Sequence, residues 1–215
     1  VNFSAVISNT GFLLEASWLT IYLSFISFAV ALAIGIIVGT LRSFRIPFVL
    51  DKLFVVYVEI FRGTPLLIQL FFIYYGLPQV GIAFSSHQAA ILGLSLNFGA
   101  YISEIVRSGM SAIDQGQHEA AKSLGMTTYT MLFYILYPQA LRIMLPPLTN
   151  TYAAILKDSS LVSVLSITEL TRAGQLIYVR TYEPFEIYLT LGVCYFMMTY
   201  CVTLVSKYLE KTLHF

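Results

Sequence analysis

The sequence predicts an all-α membrane protein: one domain of about five transmembrane helices, N-terminus outside and C-terminus cytoplasmic, with a short cytoplasmic helix between spans three and four. Three observations predict it. Of 215 residues, 58% are hydrophobic and 11% charged, with a mean hydropathy of +0.79; soluble chains carry charge on about a quarter of their residues. Several apolar runs approach the about 20 residues a helix needs to cross a hydrocarbon core of about 30 Å. The Lys and Arg residues fall unevenly among the segments between those runs.

The spans follow in order. Residues 16–41 carry no charge and are long enough to cross with tilt. Residues 53–77 form the second span, with Glu59 and Arg62 inside it, and 88–106 the third, with Glu104 near its end. The fourth is interrupted by Pro138, Arg142 and the Pro146-Pro147 pair, yet 141–156 is apolar enough to cross if its ends snorkel. Residues 187–206 make a clean fifth.

Positively charged loops stay in the cytoplasm, and an external N-terminus satisfies that rule. It makes Arg42, Arg45, Lys52, Arg107, Lys122, Arg142, Lys207 and Lys211 cytoplasmic, leaves Arg172 and Arg180 outside, and puts Arg62 and Lys157 in or near the membrane. The opening stretch, free of Lys and Arg, lacks the basic start of a signal peptide and reads as a short external segment.

The net charge of +1 comes with no basic stripe interleaved with aromatics, which excludes a nucleic-acid partner. Cys194 and Cys201 sit two turns apart on one helix, about 10 Å between Cα atoms, too far for a disulfide. They read as buried apolar thiols. No G-x-x-x-x-G-K-[ST] or H-E-x-x-H occurs, and neither His87 nor His214 has a partner at metal-ligand spacing. The chain is therefore expected to hold no cofactor or metal and to catalyse nothing itself.

The polar stretch 114–126 (DQGQHEAAKSLGM) stands out against this background. Within the loop 107–137, Asp114 can cap a helix, Gln117 to Leu124 favours helix, Gly125 suits the left-handed residue that ends it, and Thr127 or Thr128 can cap the next. The stretch is too polar to bury much in lipid. A protein groove suits it better.

Glu119-Ala120-Ala121, Gly125, Ile135 and Pro138 stand at offsets that resemble the EAA signature of ATP-binding-cassette importer permeases, Tyr137 departing where the family usually has Leu. Glu59-Ile60-Phe61-Arg62-Gly63-Thr64-Pro65-Leu66-Leu67, Pro138-Gln139-Ala140-Leu141-Arg142, Lys157-Asp158-Ser159-Ser160-Leu161 and Arg172-Ala173-Gly174-Gln175 are similar to the polar amino-acid branch of that family. The likeness covers nearly the whole chain. It implies the transmembrane subunit of an ATP-driven amino-acid importer in a bacterial cytoplasmic (inner) membrane. The implied partners are a second permease subunit, identical or paralogous, two ATPase subunits that bind the ATP and Mg, and an external solute-binding protein that delivers the substrate. Glu119, Ala120, Ala121 and Gly125 are then the ATPase-coupling residues.

Ionisable side chains in a bilayer cost at least about 2.5 to 3.5 kcal/mol on insertion scales, so each must face protein or water. Glu59, Arg62 and Gln69 are expected near one face of a continuous second span, as an intrahelical ion pair with a neighbouring amide or as substrate contacts. Asn97, Tyr101 and Glu104 share a stripe on span three, either binding substrate or bonding helices together. Lys157, Asp158 and Ser159 end span four as a candidate clamp for an amino acid's ammonium and carboxylate. Adjacent residues point about 100° apart on a helix, so one of Lys157 and Asp158 faces the pathway, and Asp158 is the choice. The acidic excess of Glu59, Glu104 and Asp158 over Arg62 and Lys157 tilts the substrate towards a basic or neutral polar amino acid.

Two other readings stand beside this one. An ion-gradient-driven secondary amino-acid transporter commonly shows inverted repeats, and no clear repeat is visible. A scaffold that only recruits an ATPase has no need of a polar stripe inside the membrane.

Overall fold

A computed structural model of the chain describes residues 2–44 and 46–212. Arg45 and His214, used in the charge and histidine readings above, lie outside the described residues. Those residues form α1 (Ser4–Ser8), α2 (Thr10–Ser43), α3 (Phe48–Gly63), α4 (Leu66–Phe71), α5 (Ser86–Ser111), α6 (Gln115–Ser123), α7 (Thr128–Met131), α8 (Tyr137–Asp158), α9 (Leu170–Thr181) and α10 (Pro184–Thr212), with no strand among them. A π-turn over Phe72–Gly76 and a 3-10 turn over Leu77–Val80 prolong α4.

Among the described residues, three helices (α2, α5 and α10) are long and apolar enough to cross a membrane, or four spans if α3 and α4 count as one broken span. That pair corrects the expectation of a continuous second span: its halves meet at 108°. The cause is local. A residue before proline is driven out of the helical region, and Thr64, before Pro65, is extended at φ −120°, ψ 148°. The prolines expected to interrupt the fourth span do not end its helix: Pro138 follows a π-turn over Leu132–Leu136, where the Tyr137 N–H reaches back to the Leu132 carbonyl, and Pro146 and Pro147 sit inside a helix packed against both α5 and α10. α8 is not among the helices apolar enough to count as a span.

The centre of the fold is the pairing of α2 with α5. Gly35 and Gly39 make it close: a Cβ at the first would strike Ile102, and at the second the Ser103 carbonyl and Val106. This is the small-xxx-small device by which helices approach where lipid supplies no hydrophobic drive. Leu23, Leu94 and Ile102 are fully buried here. The Tyr57 hydroxyl donates to the Leu96 carbonyl at 2.7 Å, holding α3 to α5. Glu169 caps α9 by accepting from the Thr171 and Arg172 N–H groups at 2.9 and 2.8 Å, and from the Tyr195 hydroxyl of α10 at 2.9 Å. The Leu170 N–H donates to Thr20 of α2 at 3.1 Å, so one corner binds three helices.

Candidate functional site

The break between α3 and α4 builds the site. Carbonyls that end α3 lose their helical donors and need replacements. The Gln69 amide nitrogen supplies them, lying 2.9 Å from the Phe61 carbonyl, 3.1 Å from the Thr64 carbonyl and 2.8 Å from the Thr64 hydroxyl. Asn97 of α5 donates to the Phe61 carbonyl at 2.9 Å and to Gln69 Oε1 at 3.1 Å. Both amides are buried. The shared face of Glu59, Arg62 and Gln69 expected from one helix is therefore replaced: Gln69 sits behind the break, holding it in shape.

In front of the break lies a cavity of about 1090 Å³. The break contributes Arg62, α5 contributes Asn97, Tyr101 and Glu104, and α8 contributes Asn150 and Asp158. Five of the residues singled out in the sequence thus meet here. Glu59 and Lys157 are exposed away from the cavity, and Ser159 is fully buried with its hydroxyl donating to the Leu156 carbonyl at 2.8 Å. Among the described residues Glu59 and Arg62 form no ion pair. Asp158 faces the cavity and Lys157 does not, in keeping with their angular separation. Sequence reasoning missed Asn150 and Thr151; the offset of Asn150, Ala154 and Asp158 by successive fours would have flagged Asn150.

Arg62 leaves Glu59 for an aromatic partner, its guanidinium lying 5.4 Å from the centroid of the Tyr101 ring. Glu104 is enclosed by two arginines: Arg42 from the end of α2, and Arg107 at 2.8 Å from one turn further along α5. Arg42 also reaches Asp51 of α3 at 4.0 Å. The cavity wall therefore carries Arg62 and Arg107 against Glu104 and Asp158. The acidic excess counted in the sequence does not persist in space, because Glu59 points away and Arg107, assigned to the loop, faces in.

The 107–137 loop is built by its own local chemistry. Asp114 caps α6 by accepting from the Gly116 N–H at 2.7 Å. Gly125 is left-handed at φ +71°, its N–H donating to the Lys122 carbonyl at 2.9 Å while the Met126 N–H donates to the Ala121 carbonyl at 3.1 Å. This paired ending is the Schellman arrangement. Thr127 then caps α7. Ala121 is buried against this chain's own core, whereas Glu119, Ala120 and Gly125 are exposed.

A family model described as "Binding-protein-dependent transport system inner membrane component" matches residues 31–214. The chain is 40% identical over 205 residues to the probable glutamine ABC transporter permease protein GlnP of Bacillus subtilis (strain 168), covering 94% of each. It is 35% identical over 216 residues to the arginine transport system permease protein ArtQ of the same organism, covering 99% of this chain and 97% of that one. A chain in a crystal structure of an amino acid ABC transporter with histidines matches with a TM-score of 0.91 at 34% identity, covering 99% of both. The MetNI methionine ABC transporter in an inward-facing form matches with a TM-score of 0.79 at 23% identity, a likeness of fold alone. These findings favour the ATP-driven reading over the gradient-driven one. With the family match running over most of the chain and such relatives over nearly all of it, this protein belongs to the binding-protein-dependent transport system inner membrane components, the permease subunits of ABC transporters.

Proposed function

We propose that the chain is the transmembrane subunit of an ATP-driven importer for a polar amino acid, delivered by an external binding protein to the bacterial inner membrane. The observation that carries the reading is the cavity that sets Arg62 and Asp158 on different helices around one space. A free amino acid presents a carboxylate and an ammonium, and those side chains answer them: Arg62 donates to the carboxylate and Asp158 accepts from the ammonium. Tyr101 orients Arg62. Asn97 contributes the position of the wall, its donors being committed to the break. Glu104 is held by Arg42 and Arg107 and is not free to meet a cationic side chain, so the balanced cavity favours an uncharged polar side chain over a basic one. Relatives named for glutamine and for arginine represent the two choices.

In this reading the chain crosses five times, by α2, α3 with α4, α5, α8 and α10, with the N-terminus outside and the 107–137 loop and C-terminus in the cytoplasm. Two permease subunits, identical or paralogous, enclose the pathway, and two ATPase subunits beneath them bind ATP and Mg. Glu119, Ala120 and Gly125 meet the ATPase, while Ala121 anchors that helix to the permease. Nucleotide-driven closure of the ATPases moves α6 and biases the membrane helices towards the outward-facing state, a differential contact of the kind that a population shift requires.

The test is substrate-stimulated ATP hydrolysis and uptake by the whole transporter in proteoliposomes. Asp158→Asn and Arg62→Gln are expected to lower stimulation by at least tenfold with assembly unchanged. Native substrate dependence in both variants would remove the cavity from the pathway, and uptake without ATP would overturn the importer reading.

A further inference from the structure

Among the described residues, two side-chain amides line the cavity, those of Asn97 and Asn150, and they differ. Both N–H donors of Asn97 are committed, to the Phe61 carbonyl and to Gln69 Oε1. Asn150 of α8 is exposed and, among the described residues, its amide makes no hydrogen bond. The hydroxyls on either side of it are engaged: Thr149 donates to the Pro146 carbonyl at 2.9 Å and lies 2.6 Å from the Ser206 hydroxyl, and Thr151 donates to the Pro147 carbonyl at 2.8 Å. A polar group within a membrane costs free energy unless it finds a partner. Asn150 thus turns an uncommitted donor and acceptor into the cavity.

Helix phase and spacing relate it to Asp158. Asn150, Ala154 and Asp158 all line the cavity, and at about 100° per residue the first and last point within about 80° of each other. Between them α8 rises about 12 Å at 1.5 Å per residue. A ligand with its ammonium on Asp158 and its far end on Asn150 makes hydrogen bonds of about 2.9 Å at each end, which leaves about 6 Å between its own terminal atoms. Five staggered bonds of about 1.5 Å advance about that far. In glutamine, that is the path from the α-nitrogen to the side-chain nitrogen. Asparagine falls one bond short. Ala154, between the two positions, is small enough to leave room for the methylenes of such a chain.

Chemistry makes the same choice. An amide offers donors and an acceptor side by side, and another carboxamide answers both. A carboxylate leaves the Asn150 oxygen unpaired and an ammonium leaves its nitrogen unpaired, and an unpaired polar group in a site costs affinity. Glu104, held by Arg42 and Arg107, is not free to compensate a cationic side chain.

We propose that Asn150 is the specificity-determining residue of the cavity: its amide pairs with the side-chain carboxamide of the substrate, its distance from Asp158 sets the substrate's length, and together they select glutamine. This rests on the reading of Arg62 and Asp158 as the partners of the carboxylate and the ammonium.

The experiment is equilibrium binding of glutamine, asparagine, glutamate and ornithine to the intact transporter in lipid nanodiscs, without the external binding protein, whose own selection would mask that of the cavity. Glutamate and ornithine match glutamine in length and differ in charge; asparagine matches its chemistry and is shorter. The native transporter is expected to bind glutamine about tenfold more tightly than the other three. Asn150→Leu, which keeps the volume, is expected to bring glutamine down to the affinity of asparagine and to leave asparagine unchanged. Asn150→Asp is expected to put ornithine first. Asp158→Asn is expected to weaken all four alike. If Asp158→Asn does so while Asn150→Leu keeps the preference for glutamine, or Asn150→Asp leaves ornithine no better bound, the cavity reading stands and the role of Asn150 is overturned. If Asp158→Asn leaves all four affinities unchanged, the cavity reading itself falls and this inference with it.

Discussion

The Arg62 guanidinium stacks over the Tyr101 ring at 5.4 Å from its centroid, joining the end of α3 to α5 across the helix break. A cation over an aromatic face is worth about 0.5 to 2 kcal/mol, depending on its hydration. Tyr101→Leu is therefore expected to raise the substrate concentration for half-maximal uptake by roughly two- to thirtyfold, whereas Tyr101→Phe keeps the ring and most of the effect. Uptake by proteoliposomes separates the two variants. Equal losses in both would assign the role to the hydroxyl instead.

Asn97 and Gln69 are expected to act on stability before they act on transport. Asn97→Ala strips a donor from the Phe61 carbonyl and another from Gln69 Oε1, and a buried polar group left unpaired costs about 1 to 3 kcal/mol. The melting temperature in detergent should fall by several degrees, while Arg62→Gln, on an exposed side chain, leaves it within a degree or so. A variant that melts like the native chain would show that the break holds without the amides.

The two arginines on Glu104 are not equivalent. The Arg42 side chain is 13% exposed and that of Arg107 40%. Breaking a buried pair approaches about 3 kcal/mol, because the remaining charge stays uncompensated, and an exposed one contributes about 0 to 1 kcal/mol. Arg42→Ala is thus expected to destabilise the protein more than Arg107→Ala, and a double-mutant cycle with Glu104→Gln should give the larger coupling to Arg42. The reverse order would contradict the burial argument.

How much of this was legible in the sequence depends on how local the cause is. The α6–α7 loop is legible almost residue by residue, since Asp114, Gly125 and Thr127, one of the two threonines able to cap α7, act on backbone within three residues of themselves; the helix covers Gln115–Ser123, as the Asp114 cap requires, against a helix-favouring run of Gln117 to Leu124. The break at Thr64-Pro65 was equally local, but unbroken hydropathy across 53–77 concealed it. Arg42 and Glu104 stand 62 residues apart, and no periodicity pairs them. The same holds for the charge balance of the cavity, which depends on which of several charges turn inward. Asp158 was legible and Ser159 was not, because helical phase separates Lys157 from Asp158 whereas Ser159 lies where the chain tightens into a 3-10 turn.

Glu169 gives the fold a defined pH response. It lies between α8 and α9, outside the spanning helices and fully buried, and burial pushes its carboxyl up, while the backbone N–H groups of Thr171 and Arg172 and the Tyr195 hydroxyl pull it partly back. A carboxyl raised on folding contributes stability that is complete below its ordinary value of 4.5 and is lost as pH rises through the folded value. Glu169→Gln removes this titration. The melting temperature of the native chain relative to the variant should decline as pH rises above 4.5, then level off once the folded carboxylate is ionised. A difference that stays constant with pH would contradict the sign of the shift.

Gly125 tests the coupling of the loop to transport. It is left-handed at φ +71° with nothing within 4 Å of where a Cβ would stand, so conformation and not space demands glycine there. A left-handed residue with a side chain costs about 1 to 2 kcal/mol, Asn being tolerated best. Gly125→Val should loosen the end of α6 and re-aim Glu119 and Ala120, leaving ATP hydrolysis in place but uncoupled from uptake. Gly125→Asn adds bulk yet accepts the same backbone, and is expected to transport well. If Asn fails as badly as Val, bulk at the ATPase contact decides the outcome; if Val transports at the native ratio of solute to ATP, α6 is not the lever. The ratio of solute accumulated to ATP hydrolysed, measured for all three chains in one reconstitution, distinguishes these results because it is insensitive to how much protein inserts.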